Sequence, residues 1–173
     1  EIFVADPMHP AHHYRIHLWD DEKAERAVGS AALSGQSFPG CAHMWHMGGH
    51  IFSRLKRYDD AAWQQEASAR VDHAYMIRDR VLPDQIHNFA HNNEWLIRDL
   101  IHIGRIGPAL DLAKNMCELP RHPKYNTANG RGSANYGRQR LQDVTTAYEL
   151  WDELIALADM TYFEATDDEN EQV

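Results

Sequence analysis

Three observations predict an all-α chain built from consecutive antiparallel helix pairs. First, nowhere do β-branched or aromatic residues alternate with polar ones between turn residues, the pattern a half-buried strand needs. Second, like residues recur at spacings of three and four: His43, His46 and His50 in one stretch, Leu141, Val144, Tyr148, Trp151 and Ile155 in another. Residues so spaced share one helical face. Third, Tyr58-Asp59-Asp60-Ala61-Ala62 recurs as Ile106-Gly107-Pro108-Ala109-Leu110 and, more weakly, as Ala24-Glu25-Arg26-Ala27-Val28. Each copy sets a small alanine where two helices can approach closely.

In chain order, a first helix is expected over residues 9–19 and a second, carrying Ala24, Ala27, Ala31 and Ala32, over 21–33. Turn residues in Ser34-Gly35-Gln36-Ser37-Phe38-Pro39-Gly40 predict a loop. The third helix, 41–56, contains Gly48-Gly49, and glycine inside a helix costs about 1 kcal/mol. Close helix approach or ligand access must offset it. A polar amphipathic helix follows over 59–75, then one over 83–103 opened by Pro83-Asp84, and one from Pro108 that ends near Leu119-Pro120. Residues 124–132 read as a loop, and one long helix over 134–158 closes the fold. The five tryptophans, Trp19, Trp45, Trp63, Trp95 and Trp151, are expected in packing positions. Residues 1–163 are thus expected as a single helical repeat domain, followed by an acidic tail, 164–173, expected to be disordered.

Seventeen basic against 26 acidic residues leave a net charge of −9 with histidine neutral. That balance argues against nucleic acid, whose phosphates are met by lysine and arginine. No apolar run is long enough for a membrane-spanning helix. Cys41 and Cys117 form no CxxC pair and too small a set for a disulfide scaffold, so both are expected as free thiols.

The repeated alanines lie 61 − 27 = 34 and 109 − 61 = 48 residues apart. The first offset is the tetratricopeptide period, and the second implies about 14 inserted residues, placed around 71–85. The chain therefore resembles the tetratricopeptide family, which implies helix pairs stacked as a right-handed superhelix whose first helices line a concave groove. The strings His13-Tyr14-Arg15-Ile16-His17, His46-Met47-Gly48-Gly49-His50-Ile51 and His91-Asn92 with Trp95-Leu96 resemble a bacterial tetratricopeptide-like family in which HYxIH, HMPxHI and HN elements recur in this order. The likeness spans about residues 9–114, with Gly48 where a proline is usual and Lys56 in place of the turn glycine. It implies a fold, a histidine pattern, attachment to redoxin-like modules in a longer polypeptide and an extracytoplasmic setting. It names no reaction.

Twelve histidines among 173 residues carry the functional reading. His13 and His17, then His43, His46 and His50, then His87 and His91 with Glu94, each make one helical face, and the repeat register turns these faces to the groove. His91 and Glu94 stand 48 residues after His43 and His46. Imidazoles from several helices suit zinc, copper, iron or nickel. The expected ligands are therefore His13, His17, His43, His46, His50, His87, His91 and Glu94, around one or two ions, copper or zinc before others. Met44 and Met47 are compatible with copper and with core packing alike. Asp20 or Glu94 is a candidate general base should the site be hydrolytic; redox, storage and structural roles stay open. A second reading is a tetratricopeptide-type scaffold whose groove takes a protein or peptide partner without metal. Asn126, Asn129, Arg131, Asn135, Tyr136, Arg138 and Arg140 form a polar cluster that could close the groove on an anion, or a solvated loop and helix start. His73, His102 and His122 are expected to be ordinary surface or core histidines.

Overall fold

A computed structural model describes residues 1–86, 88–122, 124, 131–158, 160, 162 and 163. Among them every regular element is helical. The chain forms two compact units, Glu1–Arg78 and one that begins at Asp79.

The first unit opens with the short α1 (Ile2–Ala5) and then α2 (His12–Trp19). A 3-10 turn (Ala24–Ala27) leads into α3 (Val28–Ser37), followed by α4 (Ala42–Arg54) and α5 (Tyr58–Asp79). Helices α2, α3 and α4 pack on one another. Their shared core holds Ile16, Ala27, Ala31, Met47, Ile51, Phe52 and Ala61. Burying a side chain such as Ile51 completely contributes about 2 kcal/mol. Met47 is thereby core, and Met44 is buried as well.

The expected loop at 34–40 is largely helix. Ser34 and Gly35 are buried inside α3, because the Trp45 indole lies where a Cβ on Gly35 would stand, 2.2 Å from its ring carbons. A serine–glycine string that looks like a loop is here a contact surface for an aromatic ring. The glycine pair in α4 has the same cause. A Cβ on Gly48 would come within 2.7 Å of the Ala31 carbonyl oxygen, and one on Gly49 within 2.3 Å of Gln65 Nε2. Close approach of α3 and α5 is therefore what offsets the helix cost of two glycines.

In the second unit a 3-10 turn (Pro83–Gln85) precedes α6 (Phe89–His102), so that helix starts later than expected. It is followed by α7 (Ile106–Glu118), α8 (Ser133–Ala147) and α9 (Trp151–Leu157). Helices α6, α7 and α8 pack on one another and α9 on α8. Gly137 of α8 is the close contact here, its virtual Cβ 2.8 Å from the Ala113 carbonyl oxygen.

The single long C-terminal helix is corrected to two. Glu149 adopts the left-handed conformation at φ 53°, and the Leu150 and Glu149 amides turn back onto the carbonyls of Thr145 and Thr146. The Tyr148 hydroxyl donates to the Ile101 carbonyl at 2.6 Å. This tertiary bond holds the turn without glycine or proline. The same pair of reversed bonds ends α4 at Lys56 (φ 57°) and α6 at Gly104 (φ 75°), the closure called a Schellman motif. The repeat alanines Ala27, Ala61 and Ala109 are all fully buried, as small residues at helix crossings should be. Trp63 and Trp151, expected to pack inside, are instead about half exposed, at 57% and 50%. No described helix is long and apolar enough to cross a membrane. The acidic tail lies outside the described residues.

Candidate metal centre

Helix α2 carries His13 and His17 one turn apart, and α4 sets His43 against them. The rings of His13 and His17 lie 4.6 Å apart and those of His13 and His43 4.9 Å apart. One ring nitrogen from each of the three lies within 4.8 Å of the other two, a group able to hold a metal ion. His13 and His43 are partly buried and His17 is exposed, so the group opens to solvent on one side.

His12, the neighbour of His13, shows what a purely structural histidine looks like in this fold. It is buried and stacked on Phe3. Its Nε2 donates to the Pro7 carbonyl at 2.9 Å, so its Nδ1 accepts from the Ser30 hydroxyl at 3.0 Å. Both nitrogens are satisfied. His13 differs: its Nδ1 is buried and meets no hydrogen-bond partner among the described residues. Such an atom is costly unless something else occupies it. Burial, and after it the neighbouring His17, lower the pKa of His13, which keeps its imidazole neutral and its lone pair available.

The histidine face of α4 continues inward. The His43 ring is 5.9 Å from that of His46, and the His46 ring 4.5 Å from that of His50. His46 is almost fully buried and His50 partly so. Gln65, not expected in the site, and Asp20, expected there as a candidate general base, orient them. Gln65 of α5 faces His46 Nδ1 with its Oε1 at 2.8 Å. Asp20, at the end of α2, faces His50 Nδ1 at 3.2 Å and accepts from Arg54 Nε at the same distance. Burial alone would raise the pKa of the Asp20 carboxyl. The hydrogen bond to His50, and the charges of His50 and Arg54, outweigh it and hold the group below its ordinary value. A carboxylate with both oxygens engaged and its basicity reduced is a poor general base, so Asp20 is better described as a brace for His50. Gln65 carries no spacing signal of its own; the signal that points to it is Gly49, whose missing side chain leaves it room.

In the second unit His91 Nδ1 lies 3.2 Å from Glu94 Oε1. The other oxygen of Glu94, itself buried, forms an ion pair with Arg140 at 3.0 Å. Arg140 also pairs with Asp143. Glu94 is thus committed to two cations or potential cations, and Arg140, expected in an anion-binding cluster, is drawn off to carboxylates. His87, Asn126 and Asn129 lie outside the described residues. His122 accepts the Lys124 amide at Nδ1. Cys41 and Cys117 are free thiols.

Compared with protein-family models, curated proteins and solved structures, the chain matches none. The reading of the site rests on its own geometry.

Proposed function

We propose that the first unit is a transition-metal-binding module, holding a copper or zinc ion through His13, His17 and His43. The observation that carries it is the buried Nδ1 of His13, without a hydrogen-bond partner among the described residues, in a group of three imidazoles that each offer one nitrogen within 4.8 Å of the others. Imidazole suits both metals, and three ligands leave a position at which a bound ion polarises water or a substrate. The helix pairs, with their buried repeat alanines and recurring turn closure, are read as tetratricopeptide-like. That fold would present the histidine faces of the first helices side by side.

The test is elemental analysis of protein purified without a histidine tag, followed by equilibrium dialysis against Zn²⁺ and Cu²⁺ at pH 7.5. At least one ion per chain is expected, removable by chelator. His43→Ala is expected to weaken binding by more than the roughly 10–100-fold typical of losing an outer-shell partner. Absence of binding to either metal would overturn the proposal.

A further inference from the structure

His46 and His50 meet in a way the outer three histidines do not. Gln65 Nε2 donates to the His46 backbone carbonyl at 3.3 Å, which decides which end of the amide is nitrogen. Gln65 Oε1 is therefore the atom 2.8 Å from His46 Nδ1. An amide oxygen only accepts, so His46 Nδ1 carries the hydrogen and the His46 lone pair sits on Nε2. On the other side, the Asp20 carboxylate makes His50 Nδ1 a donor by the same reasoning. The two Nε2 atoms are left facing each other, 2.8 Å apart. Two lone pairs repel at that separation, so a cation lies between them: a shared proton or a metal ion. Fixing one nitrogen of each imidazole with an acceptor and presenting the other is how proteins orient metal-ligating histidines.

We infer that His46 and His50 form a second ion position, separate from that of His13, His17 and His43, in which Gln65 and Asp20 are positioning residues. The ligand is a divalent transition metal bound through both Nε2 atoms, with water or a further donor completing its shell. Binding displaces the shared proton to solvent. Two metal–nitrogen bonds of about 2.0–2.1 Å at a tetrahedral angle place the nitrogens about 3.3 Å apart, so the pair opens by about half an ångström. Gly49 belongs to this device: any Cβ there would push away the Gln65 amide that fixes His46.

The inference rests on the reading that the first unit binds metal, and one experiment separates the two. Zn²⁺ binding to wild type, His43→Ala, Gln65→Leu, Gln65→Glu and Asp20→Asn is measured by equilibrium dialysis at pH 7.5, and histidine tautomers are read from ¹H–¹⁵N spectra of metal-free protein. Wild type is expected to bind two ions and His43→Ala one. Gln65→Leu and Asp20→Asn should each weaken one ion by about 10–100-fold and leave the other untouched. Gln65→Glu, which keeps an acceptor opposite His46, should restore most of the loss. Metal-free His46 should be protonated at Nδ1. A single ion abolished by His43→Ala and indifferent to Gln65→Leu and Asp20→Asn would overturn the second position and leave the first standing. No binding at all would overturn both, and a bare Nδ1 on His46 would overturn the role of Gln65.

Discussion

Forty-eight residues apart, α4 of the first unit and α6 of the second carry related faces with different chemistry. On α4 the pair is His43 and His46; on α6 it is His91 and Glu94. In the second unit Glu94 pairs with His91 on one side and Arg140 on the other. In the first unit an imidazole, His46, stands where the acid would be, braced by the neutral Gln65, while the Asp20 carboxylate meets His50 and Arg54. The same helical position thus holds a carboxylate paired with cations in one unit and an imidazole held by an amide in the other. The difference lies in what braces each histidine, more than in the histidines themselves.

The largest effect that would break this contrast is pH. Metal and proton compete for the imidazole lone pair, so ion retention should be full at pH 7.5 and fall on acidification; the His13 pKa is lowered by burial and by His17, so this ligand gives way only below the ordinary imidazole range near ~6.5. Asp20 cannot be the cause of that loss. Its pKa is lowered on folding, so the stability it contributes is complete above its unfolded pKa of about 3.9 and disappears only as pH drops through its still lower folded value. Dialysis at pH 7.5, 6.0 and 5.0 checks this; flat retention would mean that carboxylates hold the ion.

Next in size is Arg140→Met, which leaves Glu94 buried with one cation partner fewer. Loss of one member of a buried pair costs about 3 kcal/mol, read as a lower urea midpoint for the second unit.

Smaller again is the contrast of two adjacent glycines. Gly48→Ala drives a methyl against the backbone oxygen of Ala31, which cannot move alone, and should cost about 1–3 kcal/mol. Gly49→Ala meets the Gln65 side chain instead of backbone; displacing it breaks the hydrogen bond that fixes His46, at a cost of about 1–3 kcal/mol, and changes the His46 tautomer. Chemical denaturation and His46 tautomer spectra distinguish a stability glycine from a site glycine. His122→Ala should be the smallest change, within about 0.5 kcal/mol, with ion binding unaltered.

Much of this was legible in the sequence because helical period is a local property. The spacing of His13 and His17 and of His43, His46 and His50 announced their faces. The repeat alanines announced helix crossings, and all three are buried. What was not legible depends on partners distant in sequence. Nothing around Glu149 breaks a helix; the break follows from a hydroxyl bond between Tyr148 and Ile101, 47 residues away. Ser34 and Gly35 read as loop until Trp45 is laid against them. Gln65 looks like any polar helix residue, and only its position opposite Gly49 makes it part of the site. Residue type alone places Trp63 and Trp151 inside, and type does not decide which side of a helix faces water.

The turn closures have a consequence for engineering. A left-handed residue with a side chain costs roughly 1 kcal/mol more than glycine, and the chain places Lys56 and Glu149 there while using glycine at Gly104. Lys56→Gly and Glu149→Gly would relieve that strain, although part of the gain is returned because glycine also enlarges the freedom of the unfolded chain. Neither position is among the histidine ligands proposed above, so these two turns offer a reserve of thermal resistance that can be drawn on without redesigning any ligand.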